Sequence, residues 1–181
     1  MRMPIRMPGR TRGPLALLAL GGMLLAAPAL ATGKKDAQAL SQAKMSLSEA
    51  IETVTKQGNG VVIEAEFEAV KDGGQYEVDV LGAEKLTEYT LDANSGQVTG
   101  TEEKTLGKYL TGMKPEDLRN TRTSLVEAIA IAEQQTGGKA IEAETERRRG
   151  DNIQHEVKVT KPDGSTDKVA VNAATGQVAE R

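Results

Sequence analysis

Six glutamates in two alternating runs are the residues of this chain with the most obvious capacity for chemistry. Glu64, Glu66 and Glu68 alternate with Ala65 and Phe67, while Glu142, Glu144 and Glu146 alternate with Ala143 and Thr145. Alternation places each trio on one face of an extended strand, where carboxylate oxygens could collect a divalent cation. Successive members of a trio lie about 7 Å apart on a strand, so an ion would need further oxygens from a neighbouring strand. Glu77 and Asp79 are available beside the first trio, but Glu156 and Lys158 stand at the corresponding places in the second. A solvated sheet face is the plainest expectation for these glutamates, and a partner-docking surface the next. A calcium site at Glu64, Glu66, Glu68, Glu142, Glu144 and Glu146 is the remaining alternative.

Other reactive constellations are missing from the sequence. His155 is the single histidine, which rules out a multi-histidine metal centre. It is expected at the start of a strand, at the edge of the core with a ring nitrogen near solvent. There is no cysteine, and no serine stands in a Gly-x-Ser-x-Gly elbow. The glycine pairs follow no phosphate-loop pattern. Arg147-Arg148-Arg149 forms a local basic run, expected as a solvated hairpin end or a contact for anionic envelope polymers. No catalytic set and no cofactor are therefore expected, and the chain is read as a non-enzyme.

The elements that must position these residues are declared by an internal repeat. Ser46-Leu47-Ser48-Glu49-Ala50-Ile51 recurs 78 positions later as Ser124-Leu125-Val126-Glu127-Ala128-Ile129, and Ile63-Glu64-Ala65-Glu66 recurs as Ile141-Glu142-Ala143-Glu144. Residues 46–68 match 124–146 at 12 of 23 positions without a gap. A repeat of that quality makes each copy one folding unit. Ser46-x-x-Glu49 and Ser124-x-x-Glu127 are capping boxes that open a helix. Leu47, Ala50, Ile51 and Val54 then form one apolar stripe, repeated by Leu125, Ala128, Ile129 and Ala132. Gly58-Asn59-Gly60 and Gly137-Gly138 stop these helices. Strands follow: Ile63, Ala65, Phe67 and Ala69 are predicted on one face of the first, with the glutamates on the other. Tyr76, Val78 and Val80 mark a second strand, Tyr89 and Leu91 a third, and Val98 the start of a short fourth. Val157 and Val159, then Val169 and Val171, repeat the second and third.

Residues 1–31 carry Arg2, Arg6, Arg10 and Arg12 ahead of an apolar run from Leu15 to Leu25, with Ala29-Leu30-Ala31 at its end. That is the pattern of a secretory signal peptide cleaved before Thr32. Its apolar run is too short for a stable membrane span. Without those four arginines, 19 basic residues face 26 acidic ones, a net charge of −7. With four aromatics in total (Phe67, Tyr76, Tyr89 and Tyr109), such a chain offers neither a basic stripe nor a base-stacking platform for nucleic acid. An exported chain without disulfides must be stabilised by packing. Each copy alone is marginally small, so the two are expected to share an interface. The remaining segments read as a polar lead-in over 32–44, partly disordered, a first module over 45–100, a linker over 101–122 containing a short helix, and a second module over 123–181.

The ordered set of these elements resembles the PepSY family. The residues that carry the resemblance are Leu47-x-x-Ala50-Ile51, Tyr76-Glu77-Val78-x-Val80 and Asp92-Ala93-x-Ser95-Gly96-x-Val98 in the first copy. In the second they are Leu125-x-x-Ala128-Ile129, His155-Glu156-Val157-x-Val159 and Asn172-Ala173-x-Thr175-Gly176-x-Val178. The resemblance implies an α+β fold of two tandem cystatin-like modules, each one helix followed by a three- to four-stranded antiparallel sheet. It also implies an exported, periplasmic or secreted, non-catalytic protein that regulates or inhibits a secreted or envelope peptidase. The alternative is a periplasmic sensor of cations or small ligands that uses the acidic sheet faces.

Overall fold

Ser46 and Ser124 each open a helix in the same way. Their backbone N–H groups donate to Glu49 Oε2 and Glu127 Oε2 at 2.7 Å, and their hydroxyls accept from the N–H of the same glutamates. Two of the orphan donors at each helix start are thereby satisfied reciprocally. The computed structural model describes residues 29–57, 60–83, 85–104, 113–119, 121–149 and 152–179. Its elements, in chain order, are α1 (Ala29–Leu40), α2 (Leu47–Thr55), β1 (Val61–Val70), β2 (Gly73–Leu81), β3 (Leu86–Asp92) and β4 (Val98–Lys104). They continue as α3 (Pro115–Arg119), α4 (Leu125–Thr136), β5 (Lys139–Arg147), β6 (Ile153–Thr160) and β7 (Thr166–Asn172).

The seven strands form one antiparallel sheet in the order β4-β3-β2-β1-β5-β6-β7. Each copy contributes its own meander, and the two meanders are joined edge to edge through their first strands. At the seam Glu64 faces Glu144, Ala65 faces Ala143 and Glu66 faces Glu142. Ala143 is the repeat partner of Ala65, so a pseudo-two-fold axis passes between these two alanines. The apolar stripes of α2 and α4 both lie on one face of this sheet. Leu47, Ala50, Ile51 and Val54 pack in the same buried cluster as Leu125, Ala128, Ile129 and Ala132. The strands contribute Ala65, Phe67, Tyr76 and Val78 from one side of the axis and Ala143, Val157, Val159 and Val171 from the other. The core is thus single although the sequence is double.

Three expectations need correction. The lead-in is helical: α1 runs to Leu40 and packs on β1 and β2, with Ala39 and Leu40 against the core. Ile63 does not share a face with Ala65 and Phe67. The β1–β2 register shifts between Val62 and Glu64, and such a bulge re-aims the residues before it. Ile63 accordingly joins Leu81, Leu86, Met113 and Leu118 in a second cluster on the opposite face. Ala69, predicted on the apolar side of β1, lies exposed near the strand end. The helix expected in the linker is α3, which packs on β1 through the buried Leu118. Tyr109 lies outside the described residues.

The closing turns recur as closely as the helix starts. Asp92 Oδ1 accepts from Ser95 N–H at 2.8 Å, and Asn172 Oδ1 accepts from Thr175 N–H at 3.0 Å. Each turn then anchors the segment that enters its helix. The Ala93 carbonyl accepts from Lys44 and Met45 N–H, and the Ala173 carbonyl from Arg122 and Thr123 N–H. Gly96 (φ 69°) and Gly176 (φ 72°) sit where a side chain would be strained. A Cβ on Gly96 would also lie 2.5 Å from Met45 Cε.

Candidate functional site

The seam turns the two glutamate ladders into one array. Directly opposed residues have Cβ atoms about 5 Å apart, nearer than alternate residues on one strand. Glu64, Glu66, Glu142 and Glu144 are therefore one group around the pseudo-two-fold axis. The array extends sideways, because Asp79 faces Glu64 on β2, Glu88 faces Asp79 on β3, and Glu156 faces Glu144 on β6. Five carboxylates (Glu156, Glu144, Glu64, Asp79 and Glu88) consequently run in a row across five strands. Cations stand at both ends of it. Lys168 and Arg148 pair with Glu156, while Lys104 pairs with Glu88 and reaches Asp79 at 3.4 Å. Lys158 neutralises Glu142 at 2.9 Å.

Electrostatics in the middle of the row favour protons. Partial burial, reinforced by Glu146, Glu142, Glu64 and Glu156, lifts Glu144 from 4.5 to about 7. Glu64 is raised by burial and then by Asp79, Glu66 by burial and then by Glu142. Asp79 is 4 % exposed and raised by burial, with Lys104 opposing the shift. Its Oδ1 has no hydrogen-bond partner among the described residues. Desolvation and like charge both disfavour the ionised carboxylate, so a proton is held where each acts. Among the described residues no three of His, Cys, Asp and Glu converge tightly enough to hold a metal ion. Glu68 is exposed at the far end of β1 and accepts from Gln75 at 3.3 Å, while Glu146 is paired with Arg148.

A second place where the copies can be compared lies under the segment that enters each helix. In the first copy the Tyr76 hydroxyl donates to the Met45 carbonyl at 2.5 Å. In the second, His155 Nε2 donates to the Thr123 carbonyl at 2.9 Å, and Thr123 is the repeat partner of Met45. The other ring nitrogen, Nδ1, then accepts from the Thr145 hydroxyl at 3.0 Å. His155 is 4 % exposed, so neither nitrogen is near solvent. The ring expected at the core edge is instead buried, held by the Thr123 carbonyl and the Thr145 hydroxyl. Burial lowers the His155 pKa and keeps the ring neutral with this proton arrangement.

The model of the "Peptidase propeptide and YPEB domain", PepSY, matches residues 44–102 and again residues 123–181. The chain belongs to the PepSY family. No curated protein matches it significantly. Among solved structures it is similar to a candidate lipoprotein from Clostridium difficile 630, with 19% identity, 76% of this chain and 92% of that chain covered, and a TM-score of 0.46.

Each PepSY copy therefore contains one capped helix, one glutamate ladder and one bond to the pre-helix carbonyl. The copies differ at three positions that touch that bond: Met45 against Thr123, Phe67 against Thr145, and Tyr76 against His155. Sequence reasoning singled out only the last. The 78-residue offset that pairs the ladders also pairs Phe67 with Thr145, and that was the available signal. The arginine run is divided in the structure. Arg147 binds Asp117 of α3 at 2.9 Å, Arg148 pairs with Glu146 and Glu156, and Arg149 is exposed. No helix among the described residues is long and apolar enough to cross a membrane.

Proposed function

We propose that this chain is an exported, non-catalytic PepSY protein that binds a secreted or envelope peptidase and restrains it. PepSY domains are associated with the propeptides and regulation of peptidases, and the observation that carries the proposal is the doubled family match over one continuous sheet. Joining the copies through β1 and β5 pairs the middle of their inner edges, and β4 and β7 form the two outer edges of the sheet. β4, with Thr101, Glu102 and Glu103 exposed, presents an edge for strand addition. The basic and apolar leader supports export with cleavage before Thr32, which would shorten α1 to Thr32–Leu40.

The test is to express the full chain with its own leader and recover it from each compartment. Its N-terminus is read by mass spectrometry, and it is titrated against the secreted peptidases of the same cells. Inhibition or co-purification of one of them, weakened by proline substitution at Thr101 in β4, is the expected result. Failure to bind or inhibit any of them sinks the reading. A cation bound over the seam is a second reading: Glu64 and Glu66 face Glu144 and Glu142, and these carboxylates would have to draw together to hold it, since no three converge among the described residues. Calorimetry with calcium decides it: no heat, or heat unchanged by Glu64→Ala with Glu66→Ala, removes it.

A further inference from the structure

The three substitutions around the pre-helix carbonyl change what fills the space beside it. In the first module Phe67 and Tyr76 meet edge to face with ring centroids 5.3 Å apart, and both are buried. In the second module the same places hold Thr145 and His155. These two form part of the lining of a cleft of about 650 Å³ between α2, α4 and the residues Leu118, Arg119, Thr121 and Arg122. That volume lies within the range of about 300–1,000 Å³ usual for small-molecule sites.

The walls and rim of the cleft differ in character. Ile51, Val62, Leu118, Leu125 and Val126 supply apolar walls. The polar groups among them are already engaged. Both His155 nitrogens are bonded, the Thr55 hydroxyl donates to the Ile51 carbonyl, and the Thr121 hydroxyl donates to the Leu118 carbonyl. The interior thus offers contact area and few free hydrogen-bonding groups, which suits a hydrocarbon body better than a peptide backbone. At the rim stand Lys56, Arg119 and Arg122, all exposed and none in an ion pair with another described residue. In an acidic protein whose other lysines and arginines often pair with carboxylates, three cations around one opening with no carboxylate partner among the described residues are complementary to an anion. Glu52 and Glu127 also reach the lining. The Glu127 carboxylate, however, is committed to the Ser124 N–H and hydroxyl at the start of α4.

We propose that this cleft is a binding site for an aliphatic carboxylate. Its chain lies on Ile51, Val62, Leu118 and Leu125, and its head group lies among Lys56, Arg119 and Arg122. The site is independent of the peptidase reading; it lies where the two modules meet, and the space beside the pre-helix carbonyl is open on the second module's side, at Thr145 and His155.

Decanoate is the probe. Calorimetry with the full recovered chain is expected to show saturable binding, with decan-1-ol at least about tenfold weaker because the rim cations lose their partner. Methyl NMR of the wild type is expected to shift Ile51, Val62 and Leu125. Arg119→Glu with Arg122→Glu should weaken decanoate by about tenfold or more. Thr145→Phe with His155→Tyr, which rebuilds the filling of the first module, should abolish binding. The proposal is overturned by the absence of saturable binding, by methyl shifts elsewhere, or by affinity indifferent to both variant pairs. It is equally overturned if N-acetyl-Leu-Leu-Leu with a free carboxylate binds and decanoate does not. Should either variant pair fail to fold, the wild-type methyl map decides alone.

Discussion

At the residue scale the decisive group is Glu144, whose carboxyl titrates near neutrality because it is half-buried among four other glutamates. Its affinity for a proton is higher in the folded chain than in the unfolded one. The stability it contributes is therefore fully present below about pH 4.5 and lost as pH rises through about 7. Other groups pull the opposite way. The capping glutamates Glu49 and Glu127 are held low by Ser46 and Ser124, and His155 is held low by burial. Their stabilisation grows as pH rises through their own windows. A difference measurement isolates the row: the Tm of Glu144→Gln minus that of the wild type should increase between pH 5 and pH 8. At pH 8 the variant should be more stable by a few degrees, about what 1 kcal/mol produces in a domain of this size. A flat difference would show that the seam does not hold that proton. The glutamates themselves were legible in the sequence because both copies repeat them at strand spacing. Their facing across β1 and β5 was not, since the pairing of two strands some 78 positions apart is decided by the packing of α2 and α4 above them.

At the element scale the helix starts were the most legible parts of the molecule. A Ser-x-x-Glu followed by an apolar stripe is a local signal, and both boxes close with the predicted bonds. Ser46→Ala and Ser124→Ala should each cost about 1 kcal/mol, read as a lowered urea midpoint with an unchanged slope. An equal effect of the two would reflect the shared geometry of the caps. No effect from either would show that the caps contribute nothing beyond what water supplies. Local signals failed where an element's fate depended on a distant surface. Nothing in Lys34-Lys35-Asp36 announces a helix, and α1 is helical because Ala39 and Leu40 find the core. Ile63 reads as one more alternating residue, yet the bulge before Glu64 turns it to where Leu118 and Met113 cover it.

At the scale of the whole molecule, one buried cluster draws on both copies and the sheet runs through the seam without a break. Residues 29–104 and 113–179 prepared separately should therefore remain unfolded or aggregate, with poorly dispersed amide spectra. Mixing them should restore dispersion to the extent that β1 finds β5. A separate half that gives a sharp native spectrum would show that the modules are autonomous and merely adjacent. Two identical modules meeting around an axis at Ala65 and Ala143 would make a symmetric homodimer. In such an assembly every change is expressed twice, so a groove opened on one side opens on the other as well. Carried on a single polypeptide, the arrangement escapes that rule. One half can keep Met45, Phe67 and Tyr76 as ballast while the other exchanges all three, which gives the chain an asymmetry that no assembly of identical subunits could inherit.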